Sequence, residues 1–189
     1  MRRRAVFLDR DGVINRAIVR DRKPYPPRDL DELEILPGAR EALTHLRSAG
    51  YMLIVVTNQP DVARGTARAT TVNAINRCLE QTLPIDSFRT CFHDDKDRCN
   101  CRKPQPGLLL AAGKDFGIEL SRSFMIGDRW RDIDAGKAAG CTTVWIDCDY
   151  DEQRPVADYR VQSLAEAAEL ILSLTESPTT NAHTEAHSK

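Results

Sequence analysis

The chain moves between two rhythms of apolar residues. Short apolar runs stand at 6–8, 51–56 and 124–126, and a further one at 143–146 opens on Thr143. With no polar face, each reads as a strand buried on both sides. A weaker run at 88–92 predicts a further short strand. Between these runs, apolar residues recur at the three- and four-residue spacing of a helix with one buried face. Ala39, Ala42, Leu43 and Leu46 make one such face, opened by Pro37-Gly38 and stopped at Gly50. Val72, Ile75 and Leu79 make a second, which Thr70 or Thr71 would cap. Leu109, Ala112 and Phe116 make a third, between Pro106-Gly107 and Gly117. A fourth helix is expected over 132–139, ended by Gly140, and Ser163-Leu164-Ala165-Glu166 is a capping box before a fifth.

Alternating strands and helices predict an α/β fold: a doubly wound, mostly parallel sheet covered on both faces. Ligands of such sheets sit beyond the carboxyl ends of the strands. Asp9, Thr57 and Asp128 each fall at such an end. The stretch 15–36 has no period and is rich in Arg and Pro, so it is expected to form a flap over that crevice. From 176 to 189 the chain is mostly Thr, Ser, Pro, Asn, His and Glu, which predicts a disordered tail behind a single domain over 1–175.

Composition narrows the functions open to this fold. Lys+Arg is 27 against 28 Asp+Glu, a net charge of −1, so there is no global basic field to hold nucleic acid. No apolar run is long enough to span a bilayer. The basic start Arg2-Arg3-Arg4 runs into Asp9 before any signal-peptide core develops, so a cytoplasmic location is expected. No heptad suggests obligate assembly, and a monomer is expected.

The chemistry sits in four ordered stretches. Asp9 and Asp11, two apart, share one face if the strand stays extended. Two carboxylates so close repel unless a cation or a proton intervenes, and hard oxygen ligands suit Mg²⁺. Asp9 then reads as a nucleophile and Asp11 as a general acid/base; the alternative is a pair of acids capping a turn at Gly12. Thr57 offers a hydroxyl to phosphate oxygens, or forms a turn with Asn58. Lys103 would neutralise a transferring phosphoryl group and Arg102 bind phosphate through two bonds, or both would be solvated. Asp128 reads as a metal ligand. Asp132 reads as an ion-pair partner of Lys103 or simply as a helix cap. Separately, Cys91, His93, Cys99 and Cys101 supply three sulfurs and an imidazole within eleven residues, a closed tetrahedral set for Zn²⁺. Cys78, Cys141 and Cys148 read as buried small hydrophobes, and His183 and His187 fall in the tail.

Phe7-Leu8-Asp9-Arg10-Asp11-Gly12-Val13, Thr57-Asn58-Gln59, Arg102-Lys103-Pro104 and Gly127-Asp128-Arg129 with Asp132, in that order, resemble the signature of haloacid-dehalogenase-type phosphatases. Within that superfamily the chain is similar to the zinc-bearing subgroup of D-glycero-D-manno-heptose 1,7-bisphosphate and histidinol-phosphate phosphatases, from about Arg4 to Ile146. The resemblance implies a Rossmann-like domain with no large cap, a catalytic Mg²⁺ and a structural Zn²⁺. It implies attack by Asp9 to form an aspartyl phosphate, with Asp11 as acid and then base. Mg²⁺ would be held by Asp9, Asp128 and the backbone carbonyl of Asp11. Thr57 and Lys103 would stabilise the phosphoryl group. Substrate contacts are expected from Asn58, Gln59, Arg64, Arg102, Arg129 and, in the flap, Arg20. Pro60-Asp61 departs from the small residue and glycine that relatives carry there. The basic flap suits a sugar bisphosphate, with histidinol phosphate or another small phosphate ester as the alternative. A zinc-stabilised binding module without activity is the non-enzyme alternative.

Overall fold

The computed structural model describes residues 2–176. Its main sheet has six parallel strands: β1 (Arg4–Leu8), β4 (Tyr51–Asn58), β5 (Ser87–Cys91), β6 (Phe124–Gly127), β7 (Thr142–Ile146) and β8 (Tyr159–Val161). The spatial order is β5-β4-β1-β6-β7-β8. The chain therefore winds outward from β1 to β5, then crosses back to β6 on the other side of β1. Strand order reverses at the β1–β6 pair, the place where an open α/β sheet leaves a crevice.

Strand periodicity explains the two cores. Val6 and Leu8 of β1 with Leu53 and Val55 of β4 point to one face. Ala5 and Phe7 with Ile54 and Val56 point to the other. The first face packs against α1 (Ala39–Ser48), α2 (Ala69–Thr82) and α5 (Leu164–Glu176). The second packs against α3 (Gly107–Phe116) and α4 (Trp130–Ala139). Both faces of the central strands are covered, which is why these runs lack a polar alternate.

Several boundaries differ from expectation. Helix α2 begins at Ala69 with Arg68 as its cap, and neither Thr70 nor Thr71 caps it. Helix α4 begins two residues before Asp132. Segment 15–36 contains a hairpin, β2 (Ile18–Arg20) with β3 (Lys23–Tyr25), that no period announced. Strand β8 was also unforeseen: it has three residues, of which only Val161 is buried. Cys141 is buried as expected, whereas Cys78 and Cys148 are only half-buried. No large cap domain interrupts the sheet among the described residues. Helix α5 includes Glu176, and the rest of the expected tail, with His183 and His187, lies outside the described residues. No helix among them is long and apolar enough to cross a membrane.

Candidate active site

Strands β1, β4 and β6 end side by side, which brings Asp9 and Asp128 together from distant stretches of sequence; Thr57, 1% exposed, lies beneath the cleft surface, where its neighbour Asn58 forms the lining. Asp9 and Asp128 are buried, at 7% and 3% exposure. Carboxylate oxygens of Asp9, Asp128 and Asp132 lie within 4.8 Å of one another. Two glycines make this approach possible. Gly12 has φ +91°, and a Cβ there would stand 1.9 Å from Asp128 Oδ2. A Cβ on Gly127 would stand 2.1 Å from that of Asp132.

Lys103 is the counter-ion. It is 1% exposed, and its Nζ lies 2.6 Å from Asp9 Oδ1, 2.6 Å from Asp132 Oδ1 and 2.6 Å from the Val56 carbonyl. The Asn58 amide fixes the lysine backbone from both sides. It accepts from the Lys103 N–H at 3.1 Å and donates to the Lys103 carbonyl at 3.0 Å. Asp132 does two jobs, since its other oxygen accepts from the Arg129 N–H at 3.1 Å at the start of α4. Both readings of Asp132 therefore hold.

One ammonium does not balance three carboxylates. Burial pushes the Asp9 carboxyl up to about 6, with Lys103 opposing and Asp132 and Asp11 adding to the rise. Asp128 is pushed well above the usual carboxylate range, first by burial and then by Asp9 and Asp132. Neither Asp128 oxygen accepts a hydrogen bond of good geometry. The neighbouring Tyr150 hydroxyl and Arg129 offset the penalty only in part. Burial alone would lower the Lys103 value, yet Asp132 and Asp9 outweigh it and hold the lysine charged. An orphaned, buried carboxylate beside two others is a donor set that suits a hard divalent cation such as Mg²⁺.

The carboxylate of Asp11 does not join that cluster. It accepts hydrogen bonds from Arg10 Nε and Nη2 at 3.1 and 3.0 Å, Asn15 Nδ2 at 3.0 Å and Gln59 Nε2 at 2.8 Å. Gln59 also donates to Thr57 Oγ1 at 2.9 Å and is 2% exposed. It therefore braces Asp11 and Thr57 instead of lining the cleft. Arg20 does not line the cleft either; its guanidinium lies 5.8 Å from the Tyr25 ring centre. Its flap neighbours Lys23 and Tyr25 face the cleft in its place, joined on the rim by Arg64, Arg102, Arg129 and Arg131. Sequence reasoning left Arg131 without a role. Its position one helical residue past Trp130 was the only signal that it would share the rim with Arg129. Glu152 pairs with Arg129, and Asp95 accepts from Arg102 Nε at 2.9 Å and pairs with Arg131 at 3.2 Å. Pro60 and Asp61 also line the cleft.

The second cluster lies next to this rim. Cys91 Sγ is 3.2 Å from Cys101 Sγ and 3.8 Å from Cys99 Sγ; Cys99 and Cys101 are 3.4 Å apart. His93 Nδ1 is 3.6 Å from Cys91 Sγ and 3.3 Å from Cys101 Sγ. A tetrahedron with the usual Zn–S bond has an S–S edge of about 3.8 Å, so the four groups already stand near the corners a Zn²⁺ would require. Burial pushes the Cys91 thiol up. Burial opposes ionisation of Cys99 as well, but the Arg102 N–H and its thiol neighbours bring it down to about 7. That Arg102 N–H donates to Cys99 Sγ at 3.3 Å, tying the loop to the cleft.

The comparisons agree with this geometry. A family model described as haloacid dehalogenase-like hydrolase matches residues 15–140. A D-glycero-β-D-manno-heptose-1,7-bisphosphate 7-phosphatase of Pasteurella multocida is 32% identical, over 91% of this chain and 98% of its own. A D-glycero-α-D-manno-heptose-1,7-bisphosphate 7-phosphatase of Mycobacterium tuberculosis is 41% identical, over 75% of this chain and 78% of its own. Among solved structures, D,D-heptose 1,7-bisphosphate phosphatase from B. bronchiseptica, complexed with magnesium and phosphate, superposes with a TM-score of 0.77. It is 30% identical and covers 90% of this chain and 99% of that one. A family-model match over residues 15–140, joined to relatives this similar over most of their length, has one reading: the chain belongs to the haloacid dehalogenase-like hydrolases.

Proposed function

We propose that this protein is a Mg²⁺-dependent phosphomonoesterase that removes the 7-phosphate of D-glycero-D-manno-heptose 1,7-bisphosphate through an aspartyl phosphate on Asp9. The observation that carries it is the buried Asp9–Lys103–Asp132 ion pairing, at 2.6 Å on both sides, beside the orphaned Asp128 carboxylate at the floor of a basic cleft. Relatives named for this reaction with either anomer support the substrate.

Asp9 and Asp128, with the backbone carbonyl of Asp11, would hold Mg²⁺. The ion would supply positive charge to the phosphoryl oxygens and lower the cost of bringing an anion to two carboxylates. Asp9 attacks phosphorus in line with the ester oxygen. Lys103 holds the nucleophile by one bond and faces the charge that spreads over the transferring group. Thr57, just beneath the cleft surface, would offer its hydroxyl to the phosphoryl oxygens. Asp11 gives a proton to the leaving alkoxide, then takes one from the water that hydrolyses the intermediate. Arg64, Arg102 and Arg129 bind the rest of the substrate, with Asn58 and Gln59 as supports for Lys103 and for Asp11 with Thr57. Cys91, His93, Cys99 and Cys101 would hold a structural Zn²⁺ that shapes the rim.

The test is phosphate release from both anomers of the heptose bisphosphate and from histidinol phosphate, with Mg²⁺ and with chelator. Release from the heptose substrate that needs Mg²⁺ and exceeds that from histidinol phosphate is expected. Preference for histidinol phosphate would move the substrate, and no release from any ester would end the enzyme reading.

A further inference from the structure

Arg10 is the largest side chain that the fold buries completely, at 0% exposure, and no step above uses it. A fully buried guanidinium is expensive unless every donor is answered. Here the answer is directional. Nε and Nη2 grip both oxygens of Asp11, at 3.1 and 3.0 Å. Nη1 donates to Asn76 Oδ1 of α2 at 2.8 Å. Asn76 is itself buried, and its Nδ2 donates to Thr90 Oγ1 of β5 at 3.1 Å. A line of hydrogen bonds therefore runs from β5 through α2 to the carboxylate of Asp11.

We infer that Arg10, held by Asn76 and Thr90, is a positioning residue that sets the direction of the Asp11 carboxylate for proton transfer to the leaving group. The inference rests on the proposed phosphatase reaction. In the first half of that reaction, the Asp9 oxygen bonds to phosphorus, the ester P–O bond breaks, and the departing oxygen takes the Asp11 proton. The fork of a guanidinium fixes a carboxylate plane in a way a lysine ammonium does not. Asn15 and Gln59 contact Asp11 through one bond each, so they limit its reach without setting its plane.

The consequence depends on the leaving group. An alkoxide leaves poorly without a proton, whereas p-nitrophenolate leaves without one. Loss of aim at Asp11 therefore slows alkyl esters selectively, while damage to the fold or to Asp9 slows both. The experiment measures first-turnover alcohol release from an alkyl phosphate that the wild-type protein accepts and from p-nitrophenyl phosphate, for wild type, Arg10→Lys and Asn76→Ala. Arg10→Lys keeps the charge, and the ratio of alkyl to aryl rates is expected to fall at least about ten-fold. Asn76→Ala removes one bond of the relay and should shift the ratio the same way by less; it decides the matter if Arg10→Lys does not fold. An unchanged ratio in folded variants overturns the inference, whether the two rates stay level or fall together. Asp9→Asn serves as the separate control. If wild type releases neither alcohol, or Asp9→Asn retains both, the phosphatase reading has failed instead.

Discussion

The carboxylate cluster and the thiol cluster are neighbours that reach order by opposite routes. Asp9, Asp128 and Asp132 come from β1, the end of β6 and the start of α4, and each is set by hydrogen-bonded sheet or helix. The fold alone brings them together, and Lys103 balances part of their charge. Of the thiols, Cys91 ends β5, but Cys99 and Cys101 come from the loop that follows, where a single turn of 3-10 helix over Asp95–Asp97 is the sole regular element. No sheet register holds Cys99 or Cys101 in place. A site assembled by long-range topology survives without its cation at a cost in charge, whereas a site assembled by a loop needs the ion for its shape.

The largest test of this contrast is at Asp9, the proposed nucleophile. Asp9→Asn should leave the fold intact and reduce kcat by on the order of 10⁴-fold or more, measured with any accepted ester. Lys103→Met comes next, because it attacks the balance inside the topological site. It strands Asp9 and Asp132 as unpaired buried carboxylates, and a loss of about 3–5 kcal/mol in unfolding free energy is expected by denaturant titration. A loss under about 1 kcal/mol would mean that the carboxylates find relief elsewhere.

Zinc removal probes the other side. Stripping Zn²⁺ should reduce kcat/KM by on the order of 10²-fold, with most of the change in KM. Arg102 is tied to Cys99, but the Lys103 backbone is held by Asn58. The loop therefore governs the rim more than the reacting centre. An equal fall in kcat with KM unchanged would break that division.

The smallest effect is the dependence on pH. The folded carboxyl of Asp9 titrates near 6, and Asp128 is raised further from its ordinary value. In the cation-free protein their stabilising contribution is fully present below the unfolded carboxylate value, and is lost as pH rises through about 6 for Asp9. A divalent cation needs both groups ionised and reverses that loss. Mg²⁺ should therefore raise the melting temperature by more at about pH 8 than at about pH 5, and its apparent affinity should weaken as pH falls through this window. A Mg²⁺ shift that is flat with pH would place the ion on other ligands.

Much of this contrast was already legible in the chain. Central strands buried on both faces leave apolar runs, so β1, β4, β6 and β7 announced themselves, and their ends located Asp9, Thr57 and Asp128. The dense Cys and His spacing marked the loop for the same local reason. What escaped notice depends on contacts remote in sequence. The three-residue strand β8 exists because β7 offers it an edge. The hairpin β2–β3 has no buried stripe, so Arg20 could not be told from Lys23, although only Lys23 lines the cleft. Gln59 reads as a substrate contact in its motif, and only the packing shows it turned inward to Asp11 and Thr57. Arg10 carries no role in the sequence motif, because its burial depends on α2, more than sixty residues along the chain.

The two-sided amide clamp of Asn58 on Lys103 has a consequence for how this chain tolerates change. The placement of the Lys103 backbone near Asp9 is set by the end of β4, which is paired with β5, even though the lysine belongs to the Cys/His loop. Insertions, drift in ligand spacing or slow breathing of that loop can reshape which ester is admitted while the phosphorus-facing charge stays put. Selectivity and chemical competence are thereby placed on separate mechanical supports, free to vary one without the other.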